Sequence, residues 1–245
     1  MNNGYLQYRQ RFFWLAVFAV AMGFLEGIVV VYLHELYYPD GFEFPLKLMS
    51  EELVKIEWIR EIAILVMLAG VGIITGRNGL QRLFYALFAF GVWDIFYYAA
   101  LKLLVGWPAS LLTWDLLFLI PVPWLGPVLA PVLNSVTMIM MALLLIGRQE
   151  RGYYIKVSIS DWILIFGGAL VILYTYLIDY TKLLIESGVT AKSSPEAEER
   201  LINMITNYIP ESYRWPLFIV GEVLILAATA NILIRSRKYP IDETA

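Results

Sequence analysis

Long uninterrupted runs of apolar residues divide this chain, and short polar segments separate them. A helix needs about 20 apolar residues to cross the hydrocarbon core of a bilayer. Six runs reach that length, and they lack the shorter, interrupted pattern of strands and helices in a soluble domain. The pattern predicts one all-α integral membrane domain over residues 1–245, with six transmembrane helices at about 12–36, 53–75, 83–105, 127–146, 162–184 and 215–234.

Composition supports a membrane protein and excludes several kinds of site. Hydrophobic residues make up 60% of the chain and charged residues only 16%, whereas soluble domains carry about 25% charged residues. The net charge of −3 provides no basic stripe, so nucleic acid is excluded as a partner. The absence of cysteine excludes thiolate metal sites, and the single histidine, His34, cannot build a multi-histidine zinc site.

The distribution of basic residues predicts the orientation of the chain. Ten of the 18 Lys and Arg residues fall in the N-terminal segment, two turns and the C-terminal tail, which alternating spans place on one side. The positive-inside rule makes that side, with both termini, cytoplasmic, in the cell inner (cytoplasmic) membrane. The longer, acidic segments 37–52 and 185–214 then lie outside. The ten basic residues are Arg9, Arg11, Arg77, Arg82, Arg148, Arg151, Lys156, Arg235, Arg237 and Lys238.

Two segments outside the spans also have a predicted structure. Residues 108–125 are apolar but too short to cross, and a crossing there would place the basic 148–156 loop outside. We therefore predict an outer-side re-entrant or interfacial half-helix at the mouth of a pocket, ending at Pro121 and Pro123. In the external loop 185–214, Ser194-Pro195-Glu196 predicts the start of a short helix. Asp115 and Asp179, near span ends, are predicted to be solvated or capping.

Charged residues inside the spans are the strongest functional signal, because a charge at the bilayer centre costs about 2.5 to 3.5 kcal/mol. Counting the helical rise per residue from the ends of the spans predicts similar membrane depths for Glu26, Glu61, Asp94 and Glu222. One arginine cannot neutralise five carboxylates, so protonation, a bound cation or water must offset the excess negative charge. We predict an outward-open polar pocket whose ligand-binding residues are Glu26, Glu57, Arg60, Glu61, Asp94, Tyr97, Tyr98 and Glu222.

The predicted ligand is a small cationic or polar molecule, a metal cation or protons, bound by a transport or binding component. The predicted cofactor is a divalent cation. Its ligands would be Glu26, Glu61, Asp94 and His34. The alternative for His34 is an aromatic ring in the membrane interface. Catalytic residues stay unassigned, because no glycine-rich phosphate loop, H-E-x-x-H or G-x-S-x-G motif occurs.

Other classes of protein remain alternatives. An intramembrane enzyme acting on a lipid or isoprenoid would use Glu61 or Asp94 as general acid or base, and Arg60 would hold an anionic head group. The chain could instead be a scaffold subunit of a larger membrane complex, with no site of its own. The alternative for the charged residues themselves is a structural network in which Arg60 and two carboxylates fix helix register. Beyond membrane lipid and the ligand, the predicted partners are a second copy or another complex subunit. Gly23-x3-Gly27 and Gly72-x3-Gly76 suit such a contact or packing within the chain.

Overall fold

The computed structural model describes residues 3–38, 41–189 and 194–238. Six of its helices are long and apolar enough to cross a membrane, so the six predicted spans are confirmed and the chain is a multi-pass helical membrane protein. The chain ends at 1–2 and 239–245, and residues 190–193 of the 185–214 loop, lie outside the described residues. The helices are α1 (Asn3–Tyr37), α2 (Glu51–Thr75), α3 (Gly79–Val105), α4 (Leu129–Glu150), α5 (Ile159–Ser187), α6 (Pro195–Ile205) and α7 (Trp215–Arg235).

Local sequence sets several helix ends. The Ser50 side chain accepts a hydrogen bond from the backbone N–H of Leu53 at the start of α2, and Asn78 caps α3 in the same way. Ser158 and Asp161 form a reciprocal capping box at the start of α5. The short helix predicted after Ser194 is confirmed as α6, which carries Pro195 in its first turn.

Close helix contacts inside the chain account for most of the small residues in the spans. Helices α1 and α2 both pack against α3, α3 packs against α4, and α5 packs against α7. A Cβ atom on Gly23 would lie 2.7 Å from the carbonyl oxygen of Trp93, so only glycine lets α1 approach α3 this closely. Gly168 and Gly221 serve the same purpose between α5 and α7. These glycines therefore pack within one chain.

The segment between α3 and α4 is a β-hairpin, so the predicted half-helix over 108–125 is wrong. Strands β1 (Trp114–Phe118) and β2 (Trp124–Pro127) pair antiparallel, with an irregularity between Leu116 and Phe118. Pro121 and Pro123 lack backbone N–H groups and disfavour a helix, whereas a turn tolerates them. The backbone polar groups of this short apolar segment are instead satisfied across the two strands.

The basic segments described by the structure meet at one end of the bundle. Strand β3 (Tyr153–Tyr154), after α4, pairs with strand β4 (Arg237–Lys238), after α7. Arg77, after α2, lies 3.8 Å from the Glu150 carboxylate at the end of α4. The Tyr8 hydroxyl near the start of α1 donates to the carbonyl oxygen of Leu143 in α4. The hairpin and α6 therefore belong to the opposite end.

Candidate ligand-binding cavity

A cavity of about 380 Å³ lies at the end of the bundle opposite the basic segments. Helices α1, α2 and α3 form its walls together with residues 46–49 and the hairpin, and Ile205 of α6 also reaches it. This volume is in the range of pockets that hold small molecules. Eight of the predicted site residues line the cavity: Glu26, His34, Glu57, Arg60, Glu61, Asp94, Tyr97 and Tyr98.

The charge of Arg60 is already matched by two carboxylates. One terminal nitrogen pairs with Glu26 on α1, and the other lies 2.6 Å from Oε2 of Glu57, one turn earlier on α2. The Arg60 Nε–H also donates to Glu57 Oε2 at 2.8 Å. Both carboxylates are largely buried, so this three-residue cluster connects α1 with α2 inside the spans.

Glu61 is the most buried carboxylate of the cavity, and its hydrogen bonding is incomplete. Its side chain is almost completely enclosed, with 3% relative exposure. Oε1 accepts a hydrogen bond of 2.8 Å from the backbone N–H of Leu119, and the amide of Ile120 also faces this carboxylate. Oε2 has no hydrogen-bond partner, and no described cationic side chain forms an ion pair with Glu61. One oxygen of this carboxylate is therefore buried without a hydrogen bond from the described residues.

Two aspartates contribute further carboxyl groups to the cavity. Asp94 Oδ2 accepts a hydrogen bond of 2.8 Å from the Ser135 hydroxyl on α4. Asp115 Oδ2 accepts one of 2.9 Å from the Tyr98 hydroxyl, and Oδ1 accepts one from the backbone N–H of Leu116. No ion pair with a described lysine, arginine or histidine forms at either aspartate.

Asp115 is buried in the cavity wall, so its predicted solvated or capping position is wrong. The hairpin turns this residue toward Tyr98, whose hydroxyl donates to its carboxylate. A signal was present in the sequence, because Asp115 is an ionisable residue in an otherwise apolar run. Asp179 is likewise buried, and it pairs with Arg214 at 2.8 Å away from the cavity.

The pKa of Asp115 predicts a specific pH dependence of stability. Burial raises the pKa of this carboxyl from 3.8 to about 7, with a smaller contribution from the Asp94 charge, while the bond from Tyr98 opposes the shift. Between those pH values the folded protein holds a proton that the unfolded chain has released. Stability from this group is therefore complete below pH 3.8 and is lost as the pH rises through 7.

We expect Asp115→Asn to lose less stability than the wild type between pH 5 and pH 7.5. Asparagine keeps an acceptor for Tyr98 but does not titrate, so it removes a slope of at most about 1.4 kcal/mol per pH unit. Thermal unfolding of both proteins in detergent at several pH values measures the difference in their stability. The contributions of the other titrating groups cancel in this difference, because both proteins contain them. Identical pH profiles for the two proteins would show that Asp115 is ionised and solvated throughout.

Glu222 is the one predicted ligand-binding residue that the structure does not bring to this cavity. Its Oε2 accepts a hydrogen bond of 2.6 Å from the Thr137 hydroxyl, between α7 and α4. Its Oε1 is buried and has no hydrogen-bond partner. Residue counting predicts similar depths for Glu222 and the other acids, but α7 packs against α4 and α5 and not against α1, α2 or α3.

The structure does not assemble the predicted metal ligands. No three His, Asp or Glu side chains in the described ranges lie close enough together to hold a metal ion, so Glu26, Glu61, Asp94 and His34 do not form such a set. The His34 ring stacks on Phe42, with 5.4 Å between ring centroids, and meets Trp107 edge to face. His34 is therefore part of an aromatic wall.

Most of the remaining cavity lining is apolar or aromatic. Trp58 of α2, Trp93 of α3 and Phe42 lie around the acidic residues, and Leu116 to Leu119 of the hairpin cover them. Lys47 is the second cation of the lining, and it is exposed at the rim, 5.1 Å above the Tyr38 ring. The cavity thus combines unpaired negative charge with aromatic walls.

Comparison with known proteins identifies no relative of this chain, since no family model, curated protein or solved structure matches it. The chemistry of the cavity therefore decides which function is proposed.

Proposed function

We propose that this cavity binds a small organic cation with an apolar body, and that the chain is a binding or transport component of the membrane. The proposal rests on Glu61, a buried carboxylate that forms no ion pair with the described residues and has one oxygen without a hydrogen bond from them. A buried charge is strongly unfavourable unless it is paired. An ammonium group in the cavity would supply both the missing charge and the missing hydrogen-bond donor.

The remaining charges favour a cation over an anion. Arg60 is paired with Glu26 and Glu57, so it has little charge left for an anionic head group. Asp94 and Asp115 line the same cavity as Glu61, so its described lining offers an anion three acidic side chains and no unpaired guanidinium. This arrangement weakens the alternative of an enzyme in which Arg60 holds an anionic lipid.

The walls favour an organic cation over a metal ion. A metal ion needs several ligand atoms around one point, and the described residues do not provide that set. Aromatic rings attract cations through their faces, and Trp58, Trp93 and Tyr97 line the same space as the acids. A cavity of about 380 Å³ also leaves room for an apolar body beside the charged group.

We further propose that the basic end of the bundle faces the cytoplasm, so that the cavity lies on the outer side of the inner membrane. The clustering of the basic segments at one end supports this orientation under the positive-inside rule. The chain has no cysteine of its own, so Lys156→Cys can be probed in intact cells. Labelling of that variant by an impermeant thiol reagent from outside would refute the orientation.

Three probes of matched shape test the proposed ligand class: 2-phenylethylammonium, 2-phenylethanol and 3-phenylpropionate. A ligand that binds only the folded protein raises its melting temperature in proportion to its affinity. We expect the ammonium probe to stabilise the purified protein in detergent at pH 7.5 far more than the alcohol, and the carboxylate to have no effect. Stabilisation by the carboxylate alone would instead support an anion site and refute the proposal.

A further inference from the structure

A second groove, of about 680 Å³, lies between α1 and α2 at the basic end of the bundle. Both helices pack against α3, and this leaves a cleft between them on the outside of the bundle. Arg11 of α1 and Arg77, just after α2, line the groove together with Gln10 and Gly76. The groove is separate from the acidic cavity, since the two share no lining residue.

The polar end of this groove carries a net positive charge. The Arg77 side chain is 53% exposed, and its nearest carboxylate, that of Glu150, lies 3.8 Å away. The Arg11 side chain interacts with the Tyr85 hydroxyl, and its buried terminal nitrogen Nη1 has no hydrogen-bond partner in the described part of the chain. Arg82 lies beside the groove, where its Nε–H donates to the carbonyl oxygen of Gly76 at 3.3 Å. Three guanidinium groups therefore face one carboxylate in this region.

The rest of the groove is an apolar strip that runs from the arginines toward the middle of the spans. Trp14 and Phe18 follow Arg11 on α1 at intervals of about one and two helical turns. Ile74 precedes Arg77 by about one turn on α2. Trp14 is 66% exposed and Ile74 is 87% exposed, so neither side chain is covered by the protein. Such a strip suits an acyl chain lying along the bundle.

We propose that this groove binds an anionic phospholipid, with its phosphate held between Arg11 and Arg77 and an acyl chain along Trp14 and Ile74. Guanidinium groups match phosphate oxygens in geometry and charge. Basic pockets between membrane helices on the cytoplasmic side recognise anionic head groups for this reason. The arginines at one end of the groove and the apolar strip beyond them match the head group and the acyl chain of a lipid. This site does not depend on the ligand of the acidic cavity.

Native mass spectrometry of the full chain with phosphatidylglycerol or phosphatidylcholine tests the proposal. We expect the wild type to retain phosphatidylglycerol in preference to phosphatidylcholine. Arg77→Gln should weaken phosphatidylglycerol binding about fivefold, the change for one arginine near a membrane surface. We expect Arg77→Gln to fold like the wild type, because the Arg77 side chain is exposed and its ion pair with Glu150 is long. Arg151→Gln is the matched control, because Arg151 is exposed at the same end and outside the groove.

Three outcomes would overturn this assignment. Equal retention of the two lipids would show that the head group is not recognised. An equal loss in Arg77→Gln and Arg151→Gln would show general attraction to the basic end of the bundle. Displacement of phosphatidylglycerol by glycerol 3-phosphate at millimolar concentration would identify a site for a soluble phosphate. Preference for phosphatidylglycerol that falls only in Arg77→Gln would support the proposed lipid site.

Discussion

Replacing Arg60 with alanine is expected to lower the free energy of unfolding by about 3 to 5 kcal/mol, because it breaks a buried ion-pair cluster. Glu26 and Glu57 would then be buried with no cation, on two helices that Arg60 connects. The paired acids also explain why the arginine is tolerated inside a span. Equilibrium unfolding in mixed micelles, followed by circular dichroism, measures the loss.

An exposed ion pair on the same helix gives the matched control. Lys55 lies 3.6 Å from Glu51, and both side chains are mostly in solvent. Lys55→Ala should therefore change stability by less than about 1 kcal/mol. Adding Glu57→Gln to Arg60→Ala should recover part of the loss, since one unpaired carboxylate is removed. If Arg60→Ala were as mild as Lys55→Ala, Arg60 would have no structural role and would be free to bind a ligand.

Replacing Glu61 with glutamine is expected to reduce the affinity for 2-phenylethylammonium by about thirtyfold or more. Truncating one partner of a buried, hydrogen-bonded charge pair costs about 2 kcal/mol at least, which corresponds to that factor. Glutamine retains an oxygen for the N–H of Leu119, so the contact with the hairpin can persist. The protein without ligand should be as stable as the wild type or more stable, because an unpaired buried charge is removed.

Glu222→Gln is the matched control for Glu61→Gln. Glu222 is also a buried carboxylate within a span, and one of its oxygens also has no hydrogen-bond partner. It does not line the cavity, so its replacement should leave the affinity for the ammonium probe within about twofold of the wild type. Titration of each variant in detergent gives the dissociation constants. Equal losses in both variants would mean that the probe is attracted by overall charge.

The spans could be predicted from the sequence because lipid imposes a simple rule. Each crossing segment must satisfy its own backbone and remain apolar for about 20 residues, and this length can be counted along the chain. The helix after Ser194 was equally predictable, because its capping residues act locally. The pairing of Arg60 with Glu57 follows from their spacing on one helix.

The arrangement of the site could be predicted only in part. Residue counting predicts the depth of a side chain in the membrane. Which residues that side chain contacts depends on how the helices pack, and residue counting does not give this. Residue counting predicts similar depths for Glu26 and Glu222, yet α1 directs Glu26 to Arg60 while α7 directs Glu222 to Thr137. Asp115 was assigned to the solvated surface because the hairpin that buries it depends on contacts with α3.

Isothermal titration calorimetry of the wild type in lipid nanodiscs at pH 7.5 measures whether the cavity selects a cation. It compares the dissociation constants of 2-phenylethylammonium, 2-phenylethanol and 3-phenylpropionate, which differ mainly in charge. The unpaired Glu61 carboxylate predicts that the ammonium probe binds about thirtyfold or more tightly than the alcohol, and that the carboxylate does not bind. Equal binding of all three probes, or tighter binding of the carboxylate, would contradict a cation-binding cavity.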